Sequence, residues 1–144
     1  MNHDSLPKKE LPFVFKQYVA WGDMDAFQHV NHTMYLKYFE NARVEFFHAL
    51  GFGKEAIQNI GIVVANMTME FKKQVRYPSW LKVTIGVLKL QSRFIQFGCS
   101  IWDEDQKLVF SAKGNFFWID FRTGKIVSLP KEYWTKFEPY ITHP

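Results

Sequence analysis

Asp23, Asp25, Gln28, His29, Asn31 and His32 crowd into residues 23–32, and the segment that follows carries the strongest helical periodicity of the chain. The cluster therefore occupies a loop that feeds a helix N-terminus. Such a terminus presents unpaired backbone N–H groups and a partial positive charge. Aimed at a carbonyl, those groups stabilise an oxyanion. A carboxylate held beside the same carbonyl supplies a nucleophile or the base that activates water. These two parts suffice when the leaving group departs readily, as a thiolate does with its pKa of about 8.5. Thioester hydrolysis is thus one chemistry open to the cluster. Loop bracing is another, because Asp and Asn favour caps and turns. Metal binding is a third and weak reading: His29 and His32 stand three apart near Asp23 and Asp25, without an evident third or fourth ligand.

Other catalytic systems leave no trace. The chain has no Gly-x-Ser-x-Gly elbow and no phosphate-cradling glycine motif, so neither a serine hydrolase nor a nucleotide cofactor is expected. Cys99 alternates in phase with Ile95, Phe97 and Ile101 and reads as a buried strand residue. As a lone cysteine it excludes an internal disulfide and any multi-cysteine metal site.

The elements that must position the cluster are legible from periodicity. Tyr35, Tyr38, Phe39, Ala42, Phe46, Ala49 and Leu50 form one stripe of an α-helix, which Asn31 or Thr33 can cap and Gly51 can end. From Thr33 to Leu50 that helix is about 27 Å long at 1.5 Å per residue. A strand is expected over Phe13–Val19 and another over Ile62–Phe71. Period-two alternation at Leu81–Val87, Ile95–Ile101 and Leu108–Trp118 gives three more, with a turn at Asp103–Asp105. A late turn at Thr123–Gly124 and a short helix within Pro130–Tyr140 complete the pattern. The order is strand, long helix, then strands joined by hairpin-length turns: an α+β domain with an antiparallel sheet against one helix. One helix covers one sheet face, and apolar strands with free edges favour self-association.

The run Trp21-Gly22-Asp23-Met24-Asp25-Ala26-Phe27-Gln28-His29-Val30-Asn31-His32, followed by Tyr35-Leu36-Lys37-Tyr38-Phe39-Glu40-Asn41-Ala42-Arg43, resembles the signature of hotdog-fold acyl-CoA thioesterases of the 4-hydroxybenzoyl-CoA thioesterase-like group. Phe71-Lys72-Lys73-Gln74-Val75-Arg76-Tyr77 and Asp120-Phe121-Arg122-Thr123-Gly124-Lys125 match later parts of that pattern, and the likeness spans roughly residues 13–130. The resemblance implies a five-stranded antiparallel sheet wrapped around the long helix, a homodimer or homotetramer, and active sites at the dimer interface. It implies Asp25 as the catalytic carboxylate, with backbone N–H groups around His32 and Thr33 polarising the thioester carbonyl. Some relatives carry a functional His at the position of His32 and an aromatic at that of Trp21. Asn31 and Thr33 fall within the substrate-binding stretch, while Asp23 is expected to brace the loop. The chain departs from the pattern at Gln28, where the family has Gly. If that position requires positive φ, the glutamine is strained there.

Composition bounds what remains. The chain has 144 residues, 47% hydrophobic and 18% aromatic, which suits one folded domain rather than a disordered chain. Residues 1–11 read as a loose polar arm without the apolar stretch of a signal peptide. With no apolar run of about 18 residues, no membrane span and a cytoplasmic location are expected. The net charge of +4 comes from scattered cations without a nucleic-acid-binding motif, so no nucleic acid partner is expected. Lys72, Lys73, Arg76 and Arg93 are the candidate contacts for the phosphates of CoA. The leading expectation is an acyl-CoA thioester hydrolase that uses no cofactor and no metal. A carrier-protein thioester is an alternative substrate. The competing class is a non-catalytic acyl-CoA- or acyl-carrier-protein-binding module, for which Asp25 would be superfluous. A dehydratase on the same fold fits the motif poorly.

Overall fold

In the computed structural model, which describes residues 5–52 and 59–143, the apolar stripe becomes the helix α1, His32–Ala49. Tyr35, Tyr38, Phe39, Ala42 and Phe46 are its buried face. Ala49, at the end of the expected stripe, is exposed, and the helix ends at Leu50 and Gly51, the latter with φ of 87°. Phe13–Val19 forms β1, and β2 (Ile60–Phe71) starts two residues earlier than expected. Then come β3 (Ser79–Gln91), β4 (Phe94–Trp102), β5 (Leu108–Asp120) and a short helix α2 (Lys131–Phe137). All strand pairs are antiparallel, and the sheet order is β1-β3-β4-β5-β2. This is the five-stranded sheet on one long helix that the hotdog resemblance implies.

Between α1 and the sheet lies an aromatic core. Phe46 meets Phe13, Phe97, Phe137 and Tyr140, and Tyr35 stacks on Phe110 at 5.4 Å between ring centroids. Aromatic pairs of this kind hold position as well as area. The helix packs most closely on β1 and β3, so it sits off-centre and leaves an open seam towards β2. β2 is an edge strand, bonded to β5 alone, and carries exposed Val63, Val64 and Phe71.

The expected loose arm is corrected. Residues 1–4 lie outside the described residues, but residues 5–11 are strapped across the outer face of the sheet. Leu6 and Leu11 are buried, and the carbonyls of Lys9 and Pro7 accept from the Ser100 and Ser111 hydroxyls. The Leu11 N–H donates to Thr84 Oγ1 at 3.0 Å. Gly98 and Gly86 supply the room: a Cβ at Gly98 would meet Pro7 at 3.0 Å, and one at Gly86 would meet Leu11 at 3.4 Å as well as the C-terminal Thr142 at 2.6 Å. The outward positions Thr84, Gly86, Gly98 and Ser100 of β3 and β4 are therefore buried under the strap. Small residues and hydroxyls at alternate sites are what lets a backbone lie flat there.

The strap's contribution is measurable. Leu11→Ala should cost about 2–4 kcal/mol, the usual range for emptying a buried leucine site, read as a lower urea midpoint with the slope unchanged. A loss below 0.5 kcal/mol, within the range of ordinary surface substitutions, would show the strap to be loosely held.

Candidate active site

Two bracing contacts fix the loop before α1. Asp23 Oδ2 accepts from the buried Tyr38 hydroxyl at 2.7 Å and from the Ala20 N–H at 3.0 Å. The Asp23 carbonyl accepts from the Asn31 N–H at 3.0 Å, and Val30 N–H donates to the Val75 carbonyl of the β2–β3 loop at 2.8 Å. Burial, and then the Asp23 carboxylate, push the Tyr38 hydroxyl far above its ordinary pKa, so it remains a proton donor to Asp23. Asp23 is thus a loop brace, as its place in the sequence suggests.

Asp25 is held differently. Its backbone carbonyl accepts from the Gln28 N–H at 2.9 Å, closing a turn, and its Oδ1 accepts from the Phe27 N–H at 2.9 Å. Gln28 takes φ of 63°, so the left-handed conformation that suits Gly is kept here by a glutamine. That costs roughly 1–2 kcal/mol per such residue. Asp25 Oδ2 accepts from Asn31 Nδ2 at 3.1 Å, and Asn31 Oδ1 accepts from the Thr33 N–H at 3.0 Å and the Thr33 hydroxyl at 2.6 Å. Asn31 is the N-cap of α1 and at the same time the tether of Asp25. It positions the carboxylate beside the helix terminus.

The cap alters the expected oxyanion donors. The Thr33 N–H is taken by Asn31 Oδ1 and the Met34 N–H by the Asn31 carbonyl, so neither is free to meet a substrate. The His32 N–H has no acceptor among the described residues and is the donor left at the terminus. Asp25 and His32 line one cleft of about 460 Å³ with Phe27, Tyr35 and Phe71. On its other side Asp25 borders a second cleft with Trp21, Arg76 and Tyr77. Trp21 and Phe27 flank it 72% and 83% exposed, a wide apolar fringe around one carboxylate.

The structure gathers Trp21, Asp25, Asn31, His32 and Thr33, and it does not bring Arg93 to them. Arg93 sits in the β3–β4 turn, where its carbonyl accepts from the N–H of Trp118, a residue that lines a cleft with Phe47 and His48 near the C-terminal end of α1. Of the other cations, Lys73 is paired with Asp103 at 2.6 Å and Lys72 with Glu70. Arg76, two residues from a cis Tyr77–Pro78 bond, borders Asp25 and carries no ion pair among the described residues. Cys99 is buried, and burial raises its thiol pKa far above the reactive range.

A family profile described as the thioesterase-like superfamily matches residues 19–137. The chain belongs to that superfamily. A protein of Aquifex aeolicus named as a candidate esterase is 32% identical over 124 residues, covering 85% of this chain and 94% of its own. A crystal structure of a protein from the same organism has a TM-score of 0.80 at 30% identity, over 88% of this chain and 99% of that one. Likewise, a Pseudomonas aeruginosa protein described as a candidate thioesterase reaches 0.79 at 25% identity, over 88% and 98%. The DHNA-CoA thioesterase of Staphylococcus aureus shares the fold, with a TM-score of 0.80 at 22% identity over 88% and 90%.

The Tyr38–Asp23 contact can be tested within this thioesterase-like chain. Tyr38→Phe should lower stability by about 1–3 kcal/mol, as expected for a buried hydrogen bond to a charged acceptor. Because folding raises the Tyr38 pKa, the wild-type contribution is complete below about pH 10. It is lost as pH rises through the elevated folded value. The variant's urea-unfolding stability should therefore decline less steeply than wild type above that pH; parallel declines would contradict the contact.

Proposed function

We propose that the protein is an acyl-CoA thioester hydrolase in which Asp25 carries the chemistry. The supporting observation is the Asn31 side chain, which ties the Asp25 carboxylate and the start of α1 into one unit. Asp25 has one lone pair per oxygen left beyond its contacts with Phe27 and Asn31. It attacks the thioester carbon to give an acyl-enzyme anhydride, or it takes a proton from a water whose oxygen attacks. In either route the carbonyl oxygen gains charge, and the His32 N–H at the positive end of the helix dipole offsets it. The C–S bond then breaks and CoA leaves as the thiolate. In the anhydride route, water hydrolyses the acyl-enzyme in a second step.

Trp21 and Phe27 supply apolar surface for the thioester arm, and Arg76, which lines a cleft with Asp25 and Trp21, takes the place of Arg93 as the cation for a CoA phosphate. A CoA thioester is also the substrate class named for the staphylococcal relative of the same fold. A cytoplasmic, reducing compartment suits the lone buried thiol of Cys99. No helix among the described residues is long and apolar enough to cross a membrane.

Asp25→Asn keeps size and hydrogen bonding but removes basicity and nucleophilicity. Turnover, read as release of free CoA thiol, should fall at least ~10²-fold with the melting temperature nearly unchanged. Near-wild-type turnover in the variant would defeat the mechanism. Wild-type binding of acyl-CoA without any release would favour the non-catalytic binding module.

We further propose a homodimer or a dimer of dimers formed through the open β2 edge, whose unpaired backbone and exposed Val63, Val64 and Phe71 favour another copy. Sedimentation at micromolar concentration should show no 17.1 kDa species. A sample that sediments only as that monomer would rule the dimer out.

A further inference from the structure

The strap leaves one end of the outer sheet face bare. Glu10 and Leu11 reach Lys82 and Thr84 and cover the face up to those residues. The next outward pair is Tyr18 of β1 opposite Trp80 of β3, and these stay 41% and 53% exposed. Their ring centroids lie 5.1 Å apart, and Tyr77 meets Tyr18 edge-on at 6.5 Å. A cross-strand aromatic pair stabilises its sheet through the surfaces that touch. The remaining ring surface faces water, and a contiguous apolar patch of this kind beside a cleft is a contact surface.

Its position says what it would meet. β1 leads from Tyr18 directly into the loop that carries Asp25. Tyr77 lines the cleft that holds Trp21, Asp25 and Arg76. The aromatic row therefore continues that cleft onto the outer face of the sheet. Two cations bracket it: Arg76 in the cleft, and Lys16 on the same outward row as Tyr18. Neither forms an ion pair among the described residues, whereas Lys82, opposite Lys16, is paired with Glu10. Of the acids nearby, Asp25 lies in the cleft, and Glu104 accepts from the Trp80 N–H at 2.8 Å on the β4 side, away from Tyr18. The surface thus suits a ligand that is neutral where it passes Asp25, anionic at Arg76, and flat and aromatic beyond. CoA has that order: a neutral pantetheine arm, a diphosphate, then an adenine on a ribose 3′-phosphate.

We infer that Tyr18 and Trp80 stack the adenine of CoA, with Tyr77 at their edge, Arg76 on the diphosphate and Lys16 on the ribose 3′-phosphate. Stacking of a base asks for flat ring surface and no particular hydrogen bond, which an exposed cross-strand pair provides. A carrier protein presents the same pantetheine arm on a serine, without a base, so the platform selects CoA over the carrier protein. Tyr18 and Trp80 lie outside the stretches that carry the family resemblance. This inference rests on the thioesterase reading of the Asp25 site.

The test uses the full chain and one acyl group, hexanoyl or benzoyl, presented on CoA and on 4′-phosphopantetheine, which lacks the adenosine. Wild type should favour the CoA thioester in kcat/KM by about tenfold or more, within the range of one base–aromatic stack. Trp80→Leu should raise KM for the CoA thioester about tenfold and leave the phosphopantetheine thioester unchanged, while Trp80→Phe keeps the preference. Equal kcat/KM for the two thioesters in wild type overturns the inference. So does an unchanged ratio in Trp80→Leu, the result expected if the pair only supports the sheet. If Trp80→Leu does not fold, Tyr18→Leu replaces it, and wild type is inhibited with adenosine 3′,5′-bisphosphate and with inorganic pyrophosphate. Inhibition by the nucleotide no stronger than by pyrophosphate overturns the platform. If wild type releases neither acyl group, the hydrolase reading fails, and calorimetry with CoA against phosphopantetheine on wild type and variant still judges Tyr18 and Trp80.

Discussion

Everything at the site hangs on one carboxamide. Asn31 Nδ2 donates to Asp25 while Asn31 Oδ1 accepts from the Thr33 N–H. An aspartate in its place would cap the helix equally well, but it would set a second negative charge against Asp25 and offer no donor. A serine would cap without reaching Asp25. Only a residue with a donor and an acceptor on one short planar group ties a carboxylate to a helix terminus this way. The constraint also has a chemical cost: the cap consumes an N–H that would otherwise face solvent, leaving His32 as the free donor. In the proposed mechanism, position of the carboxylate is gained by narrowing the candidate oxyanion donors among the described residues to a single backbone group.

That unit is useful only if the loop carrying it is rigid, and the rigidity comes from the core. Tyr38 belongs to the buried stripe of α1, yet its hydroxyl reaches out to Asp23 at 2.7 Å. One residue thus serves two levels, packing the helix and bracing the loop. On the opposite side, the Val30–Val75 bond ties the loop to the connection between β2 and β3. The loop is pinned from the helix and from the sheet, so the strained backbone of Gln28 persists because its surroundings determine it from both sides.

How far this could be read from the sequence follows from the range of each interaction. The α1 stripe, the Asn31 cap and the strands of period two are local, and periodicity exposes them. The strap at residues 5–11 is not local: Pro7 and Lys9 meet Ser111 and Ser100 across about a hundred intervening positions, and a polar arm gives no periodic sign of where it lies. Its only trace was on the other partner, in the small and hydroxylic residues Thr84, Gly86, Gly98 and Ser100 at outward strand positions. Arg93 lies apart from the cluster in the same chain for a related reason. A turn residue belongs to one end of the sheet or the other according to strand order, and charge alone does not tell which. Arg76 was equally visible as a cation, but its place beside Asp25 depends on the β2–β3 loop folding back onto residues 24–30. The motif resemblance located Asp25, whereas the role of Asn31 as its tether needed the atoms.

The off-centre seat of α1 links these features. A helix centred over the sheet would bury more apolar surface and leave no cavity, the arrangement that packing alone favours. Here the helix lies closest to β1 and β3, with Phe46 packed against Phe13 of β1. The opposite flank is then spaced from β2, where Met67 and Met69 offer adaptable walls instead of a tight interdigitation. Placing an arginine on that flank would be unfavourable in a closed core, since a buried charge must be paired or hydrogen-bonded. Arg43 meets that conflict with ring faces, its guanidinium carbon lying 4.4 Å from the Phe39 centroid and 4.7 Å from that of Phe116. The proposed self-association at β2 follows from that asymmetric packing, since the displacement that spaces α1 from β2 leaves Val63, Val64 and Phe71 exposed along the edge strand.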